Sequence, residues 1–510
     1  MNAKKLIAAV LIMALVMSLP AAGIFAEADG VDTVTIAYNK AIDSFSPIVS
    51  VTEQASTTVI FEPLWKTVLE TGEKVLCIAK SFEWTDPLTL HIELNEDVYD
   101  TAGNHITGSD VVFSIAKTID LGNNTTFIDI ENAKYTDTSV DLPALAPVHA
   151  EIEKTLSDKY IFSEAAWNAS EDEMALTPVG SGPYKLTEYV ANSHCVLSFN
   201  EDWHGKTVEP QIKTVKLRFV TDPAQRLNVL RTGEVDYAYG LNFTDMKIIE
   251  QSEGIESIVF PSENQLGIYF NMSSPLFKDN LALRQAICYA INNMAVSMVN
   301  TSGLAPLAKA IGVQSGEDYT DAFIAGLEEL VSDTNYYEYN LEKAKELMKE
   351  SGVPQGTSIR FLYFTTAGMD TLAKVLQGSL QEIGLNLELD FQSSGASYQA
   401  KLFDPNGYDI TPLSLQSDPI TTWLMFSNNY NLNKFTPEEQ AALSEKINQA
   451  YVAEGEAKTA LLLELEEFFY KNCYAYQIYD SIYLSGKKTN LTPWMYNALY
   501  PEYTKWVIDY

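Results

Sequence analysis

The chain has 510 residues, of which 46% are hydrophobic and 11% aromatic. This length exceeds one compact core, so two or three domains or lobes are expected, and the composition argues against a disordered chain. The 68 acidic against 34 basic side chains argue against a nucleic-acid-binding surface, which needs concentrated positive charge. The acidic excess favours a soluble surface, with attraction of cationic ligands as the alternative.

The N-terminal segment has the three parts of a secretory signal peptide. Lys4 and Lys5 precede an apolar stretch that ends at Leu19, and Ala26-Glu27-Ala28 offers a cleavage site. The stretch is short for a membrane span, which needs roughly 20 residues, although retention as an uncleaved anchor is the alternative. No cysteine precedes Cys77, so we expect no lipoprotein anchor. We therefore predict a signal peptide over residues 1–28 and an exported protein.

Alternating apolar and polar residues predict several strands in the first half of the chain. They lie near residues 33–38, 90–94, 215–219 and 266–270, and the first is predicted to be half-buried. Asp110 and Asp222-Pro223 are predicted at helix starts, where a carboxylate can accept hydrogen bonds from free backbone N–H groups. A further helix is predicted after Asp279. Gly233 is expected to end the helix that follows Pro223.

The second half contains a strand–helix–strand unit. Asn340 is predicted to cap a helix, and a strand near 359–363, a helical stripe near 372–383 and a strand near 385–391 follow. This order implies parallel pairing of the two strands. Two further helices, near 437–452 and 456–470, precede a strand near 476–484. The predicted fold class is therefore mixed α/β.

No catalytic or cofactor-binding motif is found in the sequence. It lacks the P-loop, G-x-G-x-x-G, H-E-x-x-H, G-x-S-x-G and C-x-x-C patterns. We therefore predict no enzyme activity, no metal and no cofactor, with a secreted hydrolase as the alternative. Cys77, Cys195, Cys288 and Cys473 are widely spaced, so we expect buried free thiols, with one disulfide as the alternative.

Arginine and aromatic residues bear on the ligand. A ligand carboxylate or phosphate is usually held by a bidentate guanidinium, so the scarcity of arginine disfavours an obligatorily anionic substrate. The five arginines are Arg218, Arg226, Arg231, Arg284 and Arg360. Aromatic rings can line a ligand cleft. We expect Trp423 to contact ligand, with packing in the core as the alternative.

Nine short motifs follow one another along the chain: Ser44–Pro47, Phe61–Leu64, Ile78–Phe113, Gly180–Leu186, Asn200–Trp203, Thr232–Asp236, Phe270–Asn271, Arg284–Ile291 and Lys343–Met348. In this order they resemble the oligopeptide- and dipeptide-binding proteins of ATP-driven importers, which are solute-binding protein family 5. The resemblance covers essentially all of residues 31–510.

The resemblance implies an α/β, bilobal periplasmic-binding-protein-like fold with two mixed-sheet lobes, an extra domain and a two-strand hinge. Lobe 1 would comprise residues 29–50, 175–265 and 482–510, with the additional domain at 51–174, and lobe 2 would comprise 266–481. The hinge strands would lie near Leu266–Asn271 and Gln477–Leu484.

The same resemblance implies a function. The protein would capture a small substrate, expected to be a peptide, between the lobes and deliver it to the permease subunits of an ABC importer. It would act as a monomer in the periplasm or at the outer face of the cytoplasmic membrane. A non-peptide solute such as a sugar, or a ligand-presenting sensor, is the alternative.

Two segments are expected to line the cleft by their position in the family. They comprise Ser50, Val51 and Glu53 in the first segment, and Leu413, Leu415, Gln416, Asp418 and Trp423 in the second.

One position departs from the family's pattern. Peptide binders commonly place an aspartate three residues before an Asp/Glu-Pro pair, where it holds the ligand's α-ammonium. Asp418-Pro419 supplies the pair, but Leu415 occupies that position. A buried ammonium without a carboxylate is costly. Three alternatives remain: Glu53 or another acid substitutes, the alignment slips to Asp409 or Asp418, or the ligand has no free α-amine there.

Overall fold

The computed structural model describes residues 32–48, 54–68, 71–120, 127–169, 174–308, 310–311, 321–334, 337–364, 369–393, 395–416, 423, 431–453, 455–497 and 499–509. The predicted signal peptide, residues 1–28, lies outside the described residues.

The strands are numbered in chain order. They are β1 Thr33–Tyr38, β2 Glu62–Pro63, β3 Trp65–Thr67, β4 Lys74–Leu76, β5 Ala79–Asp86, β6 Thr89–Leu94, β7 Lys134–Tyr135, β8 Ser139–Pro143, β9 Tyr160–Ile161, β10 Tyr184–Val190, β11 His194–Phe199, β12 Thr214–Phe219, β13 Tyr237–Ala238, β14 Ile255–Phe270, β15 Thr357–Phe364, β16 Leu385–Gln392, β17 Ile410–Gln416, β18 Ala475–Lys488, β19 Leu491–Thr492 and β20 Val507–Ile508.

The α-helices are numbered in the same way. They are α1 Gln54–Ile60, α2 Gly108–Asp120, α3 His149–Ser157, α4 Glu164–Ala169, α5 Pro223–Arg231, α6 Met246–Glu250, α7 Leu281–Ala290, α8 Asn293–Thr301, α9 Asp321–Thr334, α10 Leu341–Ser351, α11 Met369–Glu382, α12 Gly395–Phe403, α13 Pro437–Val452 and α14 Gly455–Asn472. Among the described residues, no helix combines the length and apolar character that crossing a bilayer requires.

The helix starts confirm two of the predicted caps and correct a third. Asp222 accepts the N–H of Gln225 at 2.8 Å, and Asn340 accepts that of Lys343 at 3.0 Å. The helix predicted after Asp279 is found as α7, and Asn280 caps it. Asp110 lies inside the first turn of α2, where its Oδ2 accepts the Thr107 N–H at 2.8 Å, so it reaches back instead of preceding the helix.

One large sheet runs through the molecule, with strand order β10-β11-β12-β1-β13-β18-β14-β17-β15-β16. The predicted parallel pairing of β15 with β16 is confirmed. Strand β14 has 16 residues and β18 has 14, and the two pair antiparallel along most of their length. The register shifts between Pro261 and Gln265 and again between Leu266 and Gly267. Such shifts bend and twist a strand pair locally.

The two long strands join two groups of strands. β13 pairs with β18 near its C-terminal end, whereas β17 pairs with the C-terminal half of β14. One end of the pair therefore lies among strands β10–β13 and the other among β15–β17, as expected of strands that cross between two lobes. We call β14 and β18 the crossing strands. The residue boundaries given above for the lobes and the additional domain remain a prediction.

Strand β1 is more deeply buried than its sequence pattern predicted. All six of its residues are buried, although the alternation predicted a half-buried strand. The reason is that β1 pairs in parallel with both β12 and β13 at the centre of the sheet. Parallel strands in this position are covered on both faces.

The predicted additional domain contains a separate sheet with the order β5-β6-β8-β7. Its strand β6 alternates as predicted, with Leu90, Ile92 and Leu94 buried. This domain also contacts lobe 2 directly. The rings of Phe127 and Tyr451 lie 4.5 Å apart between centroids, and Lys458 Nζ lies 2.8 Å from Glu151 Oε1. The two regions therefore meet at a place other than the crossing strands.

Candidate functional site

Strand β17, which carries part of the predicted cleft segment, lies directly beside the crossing strands. Leu415 is opposite Gln265 on β14, and Gln265 is in turn opposite Asp480 on β18. One step along, Leu413 is opposite Gly267, which pairs with Gln477. Because residues directly opposite each other share a face of the sheet, all of these residues lie on the same face.

Three polar side chains on this face are buried, and we call Gln265, Gln477 and Asp480 the polar row. Gln265 and Gln477 are each 1% exposed and Asp480 is 6% exposed. Gln265 Nε2 donates to Asp480 Oδ1 at 2.7 Å, and Gln477 Nε2 donates to the Tyr269 hydroxyl at 3.1 Å. The Gln477 Oε1 atom is buried and has no hydrogen-bond partner in the structure. The row therefore presents at least one acceptor oxygen that lacks a donor.

A glycine makes room for the polar row. A Cβ atom added to Gly267 would lie 2.2 Å from Gln477 Oε1 and 3.0 Å from the backbone oxygen of Tyr476. The Gln477 side chain therefore lies across the face of the sheet over Gly267. Any larger residue at position 267 would force Gln477 to move, since real Cβ atoms do not approach another atom so closely.

The structure places the predicted site residues unequally. Ser50, Val51, Glu53 and Asp418 lie outside the described residues. Leu413 and Leu415 are half-buried on the face of the polar row, and the backbone of Gln416 pairs with Asn264. The alternative acid Asp409 is already engaged inside lobe 2. Its carboxylate accepts from the Arg360 guanidinium at 3.1 Å through both oxygens and from the Ser274 hydroxyl at 2.8 Å.

Trp423 is fully buried in the core of lobe 2. Its ring is parallel to that of Phe469, with 6.4 Å between centroids, and its indole N–H has no acceptor among the residues that the structure describes. The structure therefore shows core packing around this side chain, and contact with a ligand stays a prediction.

Most of the arginines serve internal contacts. Arg226 donates to the carbonyl oxygens of Val220 and Thr221, and Arg284 donates to that of Asn472. Arg218 lies 3.3 Å from Glu234, and Arg360 holds Asp409 as described above. These four guanidinium groups already have partners within the chain, and the expectation that the ligand is not obligatorily anionic stays a prediction. No group of three or more potential metal ligands occurs within the described residues.

Sequence reasoning did not select the polar row. Gln477 and Asp480 fell within the predicted hinge strand and were assigned no contact with ligand. One signal was available: an aspartate and a glutamine interrupt the mostly apolar strand β18, where a charged side chain needs a reason to be buried. The sequence could not show that they lie beside Leu415.

Comparisons with known proteins establish the family. Residues 75–436 match the family described as bacterial extracellular solute-binding proteins, family 5 Middle. The chain therefore belongs to the bacterial extracellular solute-binding proteins of family 5, which confirms the resemblance. The glutathione-binding protein GsiB of Pectobacterium atrosepticum is 28% identical over 239 residues, which are 46% of this chain and 43% of that protein. The chain spans about half the length of the curated relatives it matches.

Solved structures show the same fold. NikA from Brucella suis in complex with Fe(III)-EDTA superposes with a TM-score of 0.80 at 16% identity, over 94% of this chain and 100% of NikA. The periplasmic binding protein DppA from Helicobacter pylori in complex with peptide STSA gives 0.73 at 20% identity, over 93% and 98%. These likenesses confirm the predicted bilobal α/β fold class.

Proposed function

We propose that this chain is an extracytoplasmic solute-binding protein that captures a small substrate between its lobes and delivers it to the permease subunits of an ABC importer. We further propose that the substrate is a short peptide with a free amino group. Family membership supports capture. The observation that carries the ligand proposal is the polar row beside Leu413 and Leu415 on the crossing strands.

The chemistry of the row favours a ligand that donates hydrogen bonds. A buried acceptor without a partner costs about 1–3 kcal/mol, and a ligand N–H placed at Gln477 Oε1 would remove that cost. The carboxylate of Asp480 has about four lone-pair sites, one of which accepts from Gln265. A hydrogen bond from an ammonium group to such a carboxylate is about twice as strong as one between neutral groups.

In this proposal Asp480 takes the role of the aspartate that is missing at position 415. It would hold the ligand's α-ammonium from strand β18, which is separated from Leu415 on β17 by the single strand β14. Leu415 would then offer an apolar contact to the first side chain of the peptide. Ser50, Val51, Glu53, Gln416, Asp418 and Trp423 remain proposed as further contacts.

Other features of the proposal follow the family. The protein is proposed to act outside the cytoplasmic membrane, as a monomer, without chemistry of its own. The glutathione and peptide STSA in the names of similar proteins are peptide-sized solutes. A non-peptide amine is the second candidate, because Leu415 departs from the position where peptide binders carry an aspartate.

The first experiment identifies the ligand and its anchoring group. Native mass spectrometry of freshly purified protein is expected to show a bound small molecule. Calorimetric titration with short peptides is expected to show binding when the N-terminus is free and at least tenfold weaker binding when it is acetylated. Asp480→Asn is expected to weaken binding of the free peptides at least tenfold and to leave acetylated peptides unaffected.

Asp390→Asn is the matched control, because Asp390 lies on strand β16 at the edge of the same sheet and binds Lys401. It is expected to leave affinity unchanged. Equal binding by Asp480→Asn and the wild type would contradict the proposed role of Asp480. Binding of acetylated peptides or non-peptide amines alone would select the second candidate. Recovery of a cleaved ligand would favour the hydrolase alternative.

A further inference from the structure

Two of the four cysteines, far apart in the sequence, meet inside lobe 2. Cys288 lies in helix α7 and Cys473 follows helix α14, 185 positions later in the chain. Their Sγ atoms are 3.0 Å apart, and both residues are 0% exposed. The structure shows all four cysteines as free thiols. Cys77, in the additional domain, and Cys195, on strand β11, belong to other parts of the molecule.

The backbone around Cys473 is held in place against α7. Arg284, one turn before Cys288, donates to the carbonyl oxygen of Asn472 through Nε at 3.0 Å and through Nη2 at 2.8 Å. Cys473 itself has a φ of 50°, in the left-handed region that residues other than glycine rarely adopt. Its N–H donates to the carbonyl oxygen of Tyr470 at 3.1 Å. These contacts fix the direction in which the Cys473 side chain points.

We propose that Cys288 and Cys473 form a disulfide bond in the exported protein. A bonded pair has its sulfur atoms about 2.05 Å apart, so a shift of about 1 Å from the observed separation closes the bond. A metal site is not favoured, because the described residues offer no third ligand. The free thiols of the structure agree with the first expectation for the cysteines, and the proposal takes up the alternative of one disulfide. It does not depend on the identity of the ligand.

The oxidation is a thiol–disulfide exchange with a disulfide oxidant, either a protein or a small molecule, of the kind available outside the cytoplasm. One cysteine thiolate attacks a sulfur of the oxidant's disulfide, which forms a mixed disulfide and releases the first oxidant thiol. The second cysteine thiolate then attacks the cysteine sulfur of the mixed disulfide, which forms the Cys288–Cys473 bond and releases the second oxidant thiol. Two protons and two electrons leave the pair. Burial raises the pKa of the Cys288 thiol well above its usual value. Exchange is therefore expected while lobe 2 is folding, before the pair is covered.

The bond would strengthen the base of a crossing strand. Strand β18 begins at Ala475, two residues after Cys473. The cross-link would fasten the start of this strand to α7 and would close a long loop that contains most of lobe 2. Disulfides that close long loops stabilise chiefly by restricting the unfolded chain. We expect the bond to change the stability of lobe 2 and to leave the ligand affinity unchanged.

The test uses the full-length protein secreted by a bacterial host or refolded with oxidised and reduced glutathione. The protein is unfolded in an alkylating reagent without reductant, and the expected result is alkylation of two of the four thiols. A proteolytic digest is expected to contain one linked peptide pair, carrying Cys288 and Cys473, that separates on reduction. Reduction is also expected to lower the Tm by about 5 °C or more.

The double variant Cys77→Ser/Cys195→Ser serves as control and should retain the linked pair and the Tm shift. The variant Cys288→Ser/Cys473→Ser should lose both. If this variant does not fold, the control variant still decides the question through its linked peptide. Alkylation of all four thiols, or a linked pair that contains Cys77 or Cys195, would overturn the proposal.

Discussion

Two fully buried glutamates show how differently two regions of this molecule accommodate an acid. Glu502 lies where the additional domain meets lobe 1, and Lys66 Nζ lies 3.4 Å from its Oε2. Burial alone would raise the pKa of Glu502, but the charge of Lys66 and a hydrogen bond from Thr504 hold it below the usual value. The acid at this junction is therefore charged and paired.

Glu466, in helix α14 of lobe 2, has no cation beside it among the described residues. It is 1% exposed, and its Oε2 accepts the Ile311 N–H at 3.3 Å, while Oε1 has no hydrogen-bond partner within the same residues. Burial raises the pKa of Glu466 to about 8. The side chain is therefore protonated in the folded protein at neutral pH. The comparison teaches that the junction pairs its buried charge with a cation, whereas lobe 2 keeps its buried acid neutral by protonation. Removing the cation should therefore lower stability at the junction, whereas replacing the acid by an amide in lobe 2 should raise stability at high pH.

The largest effect is expected from removing the cation at the junction. Lys66→Met leaves the Glu502 carboxylate buried without its partner, and removing one member of a buried pair costs about 3–5 kcal/mol of unfolding free energy. Urea unfolding measures this loss. Adding Glu502→Gln to the same chain should restore much of the stability, because position 502 then carries no unpaired charge.

Lys213→Met is the matched control, since the Lys213 and Glu201 side chains are 23% and 61% exposed. An exposed pair contributes about 0–1 kcal/mol. Equal losses for Lys66→Met and Lys213→Met would show that Glu502 is not held as a charged, buried acid.

The second effect depends on pH. The pKa of Glu466 is raised in the folded state, so the folded chain binds its proton more tightly than the unfolded chain does. Its contribution to stability is therefore fully present below the unfolded pKa, about 4.3, and is lost as the pH rises through about 8. Glu466→Gln removes this titration and should match the wild type at pH 5 but be roughly 2–4 kcal/mol more stable at pH 9.

Thermal unfolding at pH 5, 7 and 9 checks this prediction for Glu466. The matched control is Glu464→Gln, which alters an exposed acid on the same helix that pairs with Lys446. A constant difference between Glu466→Gln and the wild type across this pH range would contradict a raised pKa at position 466.

The smallest effect is expected from replacing a histidine at the junction between the additional domain and lobe 1. His204 Nε2 lies 2.9 Å from Glu62 Oε2, and the side chains are 6% and 3% exposed. Burial lowers the pKa of His204, but the hydrogen bond and charge of Glu62 outweigh it, so the pKa is raised. This contribution is present below the unfolded pKa, about 6.5, and is lost as the pH rises through the folded value. His204→Gln should therefore cost about 1 kcal/mol at pH 6 and less at pH 9.

Urea midpoints at pH 6 and pH 9 measure the difference for His204. His105→Gln is the control, because His105 is also half-buried but its Nε2 lies 2.9 Å from the backbone oxygen of Glu96 rather than from a carboxylate. A loss that is the same at both pH values would mean that His204 acts through packing rather than through its charge.

Much of the fold could be predicted because its signals are local. The alternation in β6 and β12 and the caps at Asp222 and Asn340 each depend on neighbouring residues, and each was found where expected. The family resemblance then supplied the bilobal arrangement. The misplaced cap at Asp110 has the same origin, since several polar residues near a helix start can each accept its free N–H groups.

The candidate site was predicted only in part. The sequence located the segment around Leu413 and Leu415 and identified the missing aspartate. It did not identify Asp480 or Gln477, because a strand's period of two residues tells which side chains share a face but not which strand lies alongside. The bulge between Leu266 and Gly267, which brings Gln477 and Asp480 to the same face, has no reliable local signal.

The sequence by itself determined the types of most elements, the family and the expectation of a binding protein, because these depend on periodicity, capping and motif order. Only the tertiary structure decided which distant groups meet. It buried β1 on both faces, paired Lys66 with Glu502 across the chain, buried Glu466 inside lobe 2 and placed Cys288 beside Cys473. These contacts join residues that are distant in the chain, and their partners are chosen by packing of the whole fold rather than by local pattern.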